Sequence, residues 1–281
     1  NLIKHSTFTS STKLLIKSYI MMVNVKKNTT YFHYFVILLT FSFIVSCKSS
    51  DYHNYKVEGK KIAVINAGDE NAKIEAYIAP YRANITKDLD NILAFSPETL
   101  DKSKGKWQTS IGNLLAKVVF DLGDPIFEKR EQKTIDFCLL NHGGIRSIIP
   151  QGDVTTRTAF EVMPFENTLI IVGLTGVKVK ELANYFMTEK KPHPLYGIKI
   201  FVDKNTLAVT NIEINGKKVE DDRIYYVATN DYLANGGDSM NFFRDSELKF
   251  DLDYKLRNIL IDYFKKVDTL PVIMDEKIIL E

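Results

Sequence analysis

Six apolar residues at helical spacing place the strongest constraint on how this chain can fold. Ile111, Leu114, Leu115, Val118, Val119 and Leu122 fall at i, i+3, i+4, i+7, i+8 and i+11. A continuous apolar stripe of that length has to be buried against another layer. Ser110 stands where an N-cap hydroxyl would accept from a backbone N–H, and Gly123 closes the pattern. A strand is predicted next, over residues 135–140. Further strands are predicted over residues 61–67, near 92–95, and over 169–174, 198–202, 209–214 and 223–229, where β-branched and aromatic residues concentrate. Asn215-Gly216 is a two-residue hairpin signal. Helical patterns run from residue 71 to about 93, with Pro80 kinking or splitting the helix. Others open at Thr175-Gly176 and at about Asp253. Together they predict a mixed α/β (α+β) fold, a single domain over residues 59–281 whose mixed sheet is flanked by helices.

Composition matters first at the N-terminus. Residues 31–46 are an apolar block preceded by Lys26 and Lys27 and followed by Cys47. A basic region, a short apolar stretch and a small residue before the break predict a secretory signal peptide. The block is short for a membrane span of roughly 20 apolar residues. Ile44-Val45-Ser46-Cys47 resembles a bacterial lipobox, which implies that Cys47 carries lipid and anchors the mature chain to a membrane. A short transmembrane anchor is the alternative. Both put the domain outside the cytoplasm, on the periplasmic side or the cell surface. Met21-Met22 lies at the distance expected of a true start, so residues 1–20 are left out of the fold reading and residues 48–58 are read as a polar tether.

Setting residues 1–47 aside removes five lysines and no acidic residue. Of 37 basic residues 32 remain against 35 acidic ones, a net of −3, so the chain has no basic run suited to nucleic acid. Cys138 then stands alone in D-F-C-L-L, which predicts a buried thiol and no disulfide within the chain.

Three stretches carry groups that could bind a ligand. Residues 141–146, N-H-G-G-I-R, follow a predicted strand: Asn141 offers a donor and an acceptor, the glycines bare backbone N–H groups, and Arg146 a planar fork. Equally, they read as a glycine turn with a surface arginine. Pro164 fixes the approach to Phe165, which reads either as a core aromatic or as a stacking plate. Residues 230–238, N-D-Y-L-A-N-G-G-D, deliver Tyr232, a turn in which Asn235-Gly236-Gly237 supply positive φ, and the carboxylate of Asp238; taken alone, the stretch reads more simply as a strand-ending turn with a core tyrosine. His142 and His193 show no metal-ligand spacing, and neither a Ser-His-Asp order nor a GxSxG elbow is present. These are binding groups without a complete catalytic centre.

N-x-G-G-I-R from Asn141, P-F-x-N-T-L-x-x-V-x-L-T-G from Pro164, and Y-x-V-A-T-N-D-Y-L-A-N-G-G-D ending at Asp238 resemble, in order, the C-terminal domain of the 5′-nucleotidase family. The resemblance covers roughly residues 60–265. In that family an N-terminal metallophosphoesterase domain holds two metal ions and the catalytic His–Asp pair, and the C-terminal domain holds the nucleoside. The resemblance implies that Phe165 and Tyr232 sandwich the base, while Asn141, Gly144, Arg146 and Asp238 contact base or ribose. It implies no cofactor on this chain and divalent metals on a partner metallophosphoesterase. Residues 105–114, G-K-W-Q-T-S-I-G-N-L, depart from the family's R-x-x-E-x-N-L-G-N-L, with Lys104 or Lys106 as candidates to replace the arginine. The function implied is the nucleoside- or nucleotide-binding subunit of a split hydrolase; a non-catalytic nucleoside-binding lipoprotein is the alternative.

Overall fold

A computed structural model of the protein describes residues 10–45, 56, 58–61 and 71–281. Cys47, most of the expected tether and the expected strand beyond Lys61 lie outside the described residues. The chain divides into two units, Asn1–Asp69 and Glu70–Glu281. In the first, Ser10–Val45 is one helix, α1, which takes in most of the apolar block. No helix among the described residues is long and apolar enough to cross a membrane.

The second unit opens with α2 (Ala72–Leu89), capped by the Asn71 side chain, and β1 (Ile92–Ser96). Then come α3 (Ser110–Glu131), β2 (Phe137–Leu139), β3 (Gly152–Thr155), α4 (Thr156–Val162) and β4 (Thr168–Thr175). They are followed by α5 (Gly176–Glu189), β5 (Leu195–Tyr196), β6 (Ile198–Val202), β7 (Val209–Ile214) and β8 (Lys217–Lys218). The chain closes with β9 (Ile224–Asn230), α6 (Asp231–Ala234), α7 (Asn241–Arg244), β10 (Lys249–Lys255), α8 (Leu256–Lys266) and β11 (Ile278–Leu280).

A five-stranded mixed sheet in the order β10-β4-β9-β2-β5 organises this unit. β9 runs antiparallel to β4 and parallel to β2. Strand geometry sends alternate residues to opposite faces, and β4 uses both: Leu169 and Ile171 pack with Ile111, Leu115 and Leu260 of α3 and α8. Ile170, Val172 and Leu174 pack with Val179, Leu182 and Phe186 of α5 and with β6 and β7. The mixed α/β architecture follows from these two buried faces. A second sheet, β11-β6-β7-β8, and a β1-β3 pair complete it.

Several local expectations change. The α3 cap is Thr109, whose Oγ1 accepts from the Gly112 N–H at 3.1 Å; Ser110 accepts instead from the Asp101 N–H. Gly123 does not end α3, which runs on to a left-handed Gln132. A Cβ on Gly123 would come within 2.8 Å of Leu169, so this glycine serves close packing against β4. Pro80 leaves α2 unbroken, because the carbonyl freed by its missing N–H lies on an exposed helix that water can reach. Residues 249–255 form β10, so the last helix begins at Leu256 rather than near Asp253. Asn215 (φ 51°) and Gly216 (φ 71°) make the expected hairpin turn.

A candidate nucleoside-binding cleft

β2, β4 and β9 deliver three loops to one end of the main sheet. Asn141 leaves β2 and begins a tight turn over His142–Gly144. Asn230 ends β9 and caps α6, its Oδ1 accepting from the Leu233 N–H at 2.8 Å. Its Nδ2 donates to Asn141 Oδ1 at 3.3 Å, so one buried asparagine joins two loops that lie 89 residues apart. A Cβ on Gly144 would sit 2.9 Å from Asn141 Oδ1, which explains why glycine is needed beside that amide.

His193 supports the same loop from behind. Its Nδ1 accepts from the His142 N–H at 3.2 Å, and burial lowers its pKa to about 4, so it is neutral at pH 7. Burial, reinforced by Lys102, also lowers the His142 pKa. Neither ring is thereby suited to carry charge. Lys102 donates from Nζ to the Ile145 carbonyl at 2.6 Å, and burial followed by the proximity of Arg146 lowers its pKa.

On the second loop Phe165 is 45% exposed, far from the buried core position a phenylalanine usually takes. The exposed Arg146 guanidinium lies over its ring, 5.9 Å from the centroid. The flanks of Phe165 are tied to α8. Arg257 donates to the Pro164 carbonyl at 3.2 Å, Glu166 pairs with Lys255 and Arg257, and the Leu256 N–H donates to the Asn167 carbonyl at 3.0 Å. The hydrogen bonds from Lys255 and then Arg257 lower the Glu166 pKa to about 2.

On the third loop Tyr232 is 47% exposed. Its Oη donates to Asp238 Oδ1 at 3.0 Å and accepts from the Asp238 N–H at 3.1 Å. Tyr185 of α5 donates to the Asp238 carbonyl at 2.8 Å. The expected positive φ values are redistributed: Gly236 has φ 89°, while Asp238 (50°) and Ser239 (62°) carry the others, and Asn235 does not. Gly237 does something different. A Cβ there would lie 2.5–2.6 Å from the Tyr232 ring, so the bare backbone is what lets the ring lie against it.

A cleft of about 260 Å³ opens among these loops, and Asn141, Gly144, Phe165, Tyr232 and Asp238 line it together with Gly143 and Asn167. Five of the six residues expected to bind therefore converge, and the sixth, Arg146, lies over Phe165. Asn167, Asn230, Tyr185, His193 and Gly237 were not singled out as site residues. Asn167, Asn230 and Gly237 do lie within the three motifs, Gly237 there as a turn former. A larger cleft, about 490 Å³, lies between residues 105–109 and 274–280, but it brings together no such set of rings and carboxylate. Lys106 lies there over Trp107, and Gln108 Oε1 accepts from the Lys277 and Ile278 N–H groups. Residues 105–108 thus brace the C-terminal segment. Lys102 lies close enough to Arg146 for the two charges to repel.

Among the described residues no group of three or more His, Cys, Asp or Glu side chains is placed to hold a metal ion.

Residues 92–245 match the family described as 5′-nucleotidase, C-terminal domain. The trifunctional nucleotide phosphoesterase of Bacillus subtilis is 30% identical over 173 residues, covering 57% of this chain and 11% of that protein. The 5′-nucleotidase of Vibrio vulnificus is 27% identical over 192 residues, covering 65% of this chain and 32% of its own. Among solved structures, a 5′-nucleotidase precursor from Thermus thermophilus superposes with a TM-score of 0.59 at 23% identity over 74% of this chain and 42% of that one, which establishes the shared fold. The chain spans less than half the length of these relatives. Because the family match covers more than half of the sequence and the fold agrees, the chain belongs to the 5′-nucleotidase C-terminal domain family.

Proposed function

We propose that this chain is the nucleoside- or nucleotide-binding subunit of a split 5′-nucleotidase-type hydrolase. One observation carries the reading: two half-exposed aromatic rings, Phe165 and Tyr232, line a single cleft with the Asp238 carboxylate. Rings of this kind stack on a base at roughly 1–3 kcal/mol each. Asp238 gives one oxygen to the Tyr232 hydroxyl and keeps the other for ribose hydroxyls. The Asn141 side-chain N–H groups and the Gly143 N–H offer donors for a base edge, while the Gly144 N–H is taken by the Asn141 carbonyl at 3.0 Å. At about 260 Å³ the cleft suits base and ribose, below the roughly 300–1,000 Å³ of pockets that enclose drug-sized ligands. The phosphate then stays outside, with Arg146 over Phe165 and Lys102 on the Ile145 carbonyl as cations on one side of it, open to a metallophosphoesterase on a separate chain that supplies the divalent metals. No nucleic acid is involved. The chain would reach its place outside the cytoplasm through a signal ending at Ser46 and a lipid on Cys47.

The experiment is a mixture of this chain with a metallophosphoesterase that lacks a nucleoside-binding domain. Hydrolysis of AMP is expected to exceed that of the second protein alone, and equal rates would remove the split-enzyme reading. Calorimetric binding of AMP or adenosine without any partner effect would point to a stand-alone binding protein instead. Labelled palmitate entering wild type and not Cys47→Ala tests the anchor.

A further inference from the structure

Helix α2 presents Ile74, Tyr77, Tyr81 and Ile85 at i, i+3, i+7 and i+11, and these are 56%, 71%, 59% and 58% exposed. Half-buried Ile78 completes the stripe, and no residue of the helix is buried. Glu75 and Arg82 form an ion pair at its edge, 2.8 Å apart. Eighteen residues rise about 27 Å at 1.5 Å each. A helix of this length gains little stability in water on its own, and an apolar stripe is what such a helix buries to become stable. Tyrosines suit a surface that is wet before binding and dry after it.

Position in the chain identifies the occupant. The family match begins at residue 92, directly after α2, and the family is by its description the C-terminal domain of longer proteins. A C-terminal domain is by definition preceded by another part of those proteins, and that part joins it from the side on which α2 enters here. We propose that the α2 stripe is the docking surface for the separate metallophosphoesterase, a deepening that rests on the split-enzyme reading above. Four side chains fall short of the ~800 Å² per partner that a stable interface buries. The surface continues over Ile92, 60% exposed on β1, and Phe160, 40% exposed on α4. The 2.7 Å ion pair from Arg157 to Asp90 ties α4 to the end of α2.

The test uses the full chain and a metallophosphoesterase from the same genome that lacks a nucleoside-binding domain. In sedimentation velocity the wild-type pair should associate, and Tyr77→Glu/Tyr81→Glu should weaken the association at least 100-fold. AMP affinity of the isolated variant, by calorimetry, should stay within twofold of wild type, which separates docking from the cleft. Ile85→Lys, a milder change at the other end of the stripe, should weaken association about tenfold and guards against misfolding of the double variant. Unchanged association in both variants overturns the proposal while leaving the split enzyme standing. A wild-type chain that dimerises by itself, and becomes monomeric in these variants, also overturns it, because a second copy then occupies the stripe. Wild type that binds neither AMP nor the metallophosphoesterase removes the functional reading and the docking surface together.

Discussion

The two walls of the cleft are built by opposite means. The Tyr232–Asp238 wall is nearly self-contained: ring, supporting glycine and carboxylate lie within seven residues and bond to one another. The Asn141–Phe165 wall is assembled from afar. His193 holds His142, Asn230 holds Asn141, and Arg257 with Lys255 holds the flanks of Phe165. A locally closed wall depends on backbone shape. A remotely braced one depends on side chains elsewhere, and hence on pH and on the stability of the whole sheet.

The largest expected effect strikes the braced wall. The folded pKa of His193 is depressed to about 4 from an ordinary value near 6.5. The unfolded chain therefore takes up the proton first as pH falls. Stability should decline from pH 6.5 down to about 4, by about 3 kcal/mol at roughly 1.4 kcal/mol per pKa unit, and His193 should contribute no further decline below that. His193→Gln should flatten that part of the curve in denaturant titrations at several pH values. Identical slopes in the two proteins would break the comparison.

Next in size come the plates themselves. Tyr232→Ala should weaken AMP binding by about 1–3 kcal/mol. Gly237→Ala should approach that loss without adding or removing a ligand contact, because its methyl would occupy the space of the Tyr232 ring. Calorimetry on both variants checks this, and wild-type affinity in Gly237→Ala would show that the ring position is not set by the glycine.

A smaller loss, about tenfold, is expected for Asp238→Asn, since hydrogen bonds to a charged group contribute ~1.5–3 kcal/mol and the amide retains an acceptor. The loss should appear with adenosine and vanish with 2′,3′-dideoxyadenosine. Equal losses with both would deny the carboxylate a ribose role. The smallest effect belongs to Glu166→Gln. It loosens the Phe165 flank and should lower affinity less than tenfold, and more at low salt, where the lost ion pairs are least screened. A salt-independent change would mean that Phe165 is held by Pro164 alone.

Much of the architecture was legible because burial imprints a period. The stripe from Ile111 to Leu122, the run into β4 and the Asn215-Gly216 turn each encode their element within a few residues. β10 was missed although K-F-D-L-D-Y-K alternates, because the helical spacing of Leu256, Ile259 and Leu260 directly follows it. Gly123 misled for a related reason: at a helix end and at a close helix–strand contact the sequence signal is the same missing side chain.

By itself the sequence determined the long amphipathic helix and the buried strands of the main sheet, the family resemblance, and the residues that could recognise a base and a ribose. Tertiary structure alone decided that Asn230 would bridge to Asn141, that His193 would be buried neutral behind His142, that Gly237 would lie under Tyr232, and that no other element among the described residues of the domain would bury the α2 stripe. Periodicity reports whether a side chain is buried, a local property. Which partner it meets depends on how residues 89 positions apart are brought together, and that is set by strand register and the packing of the whole sheet.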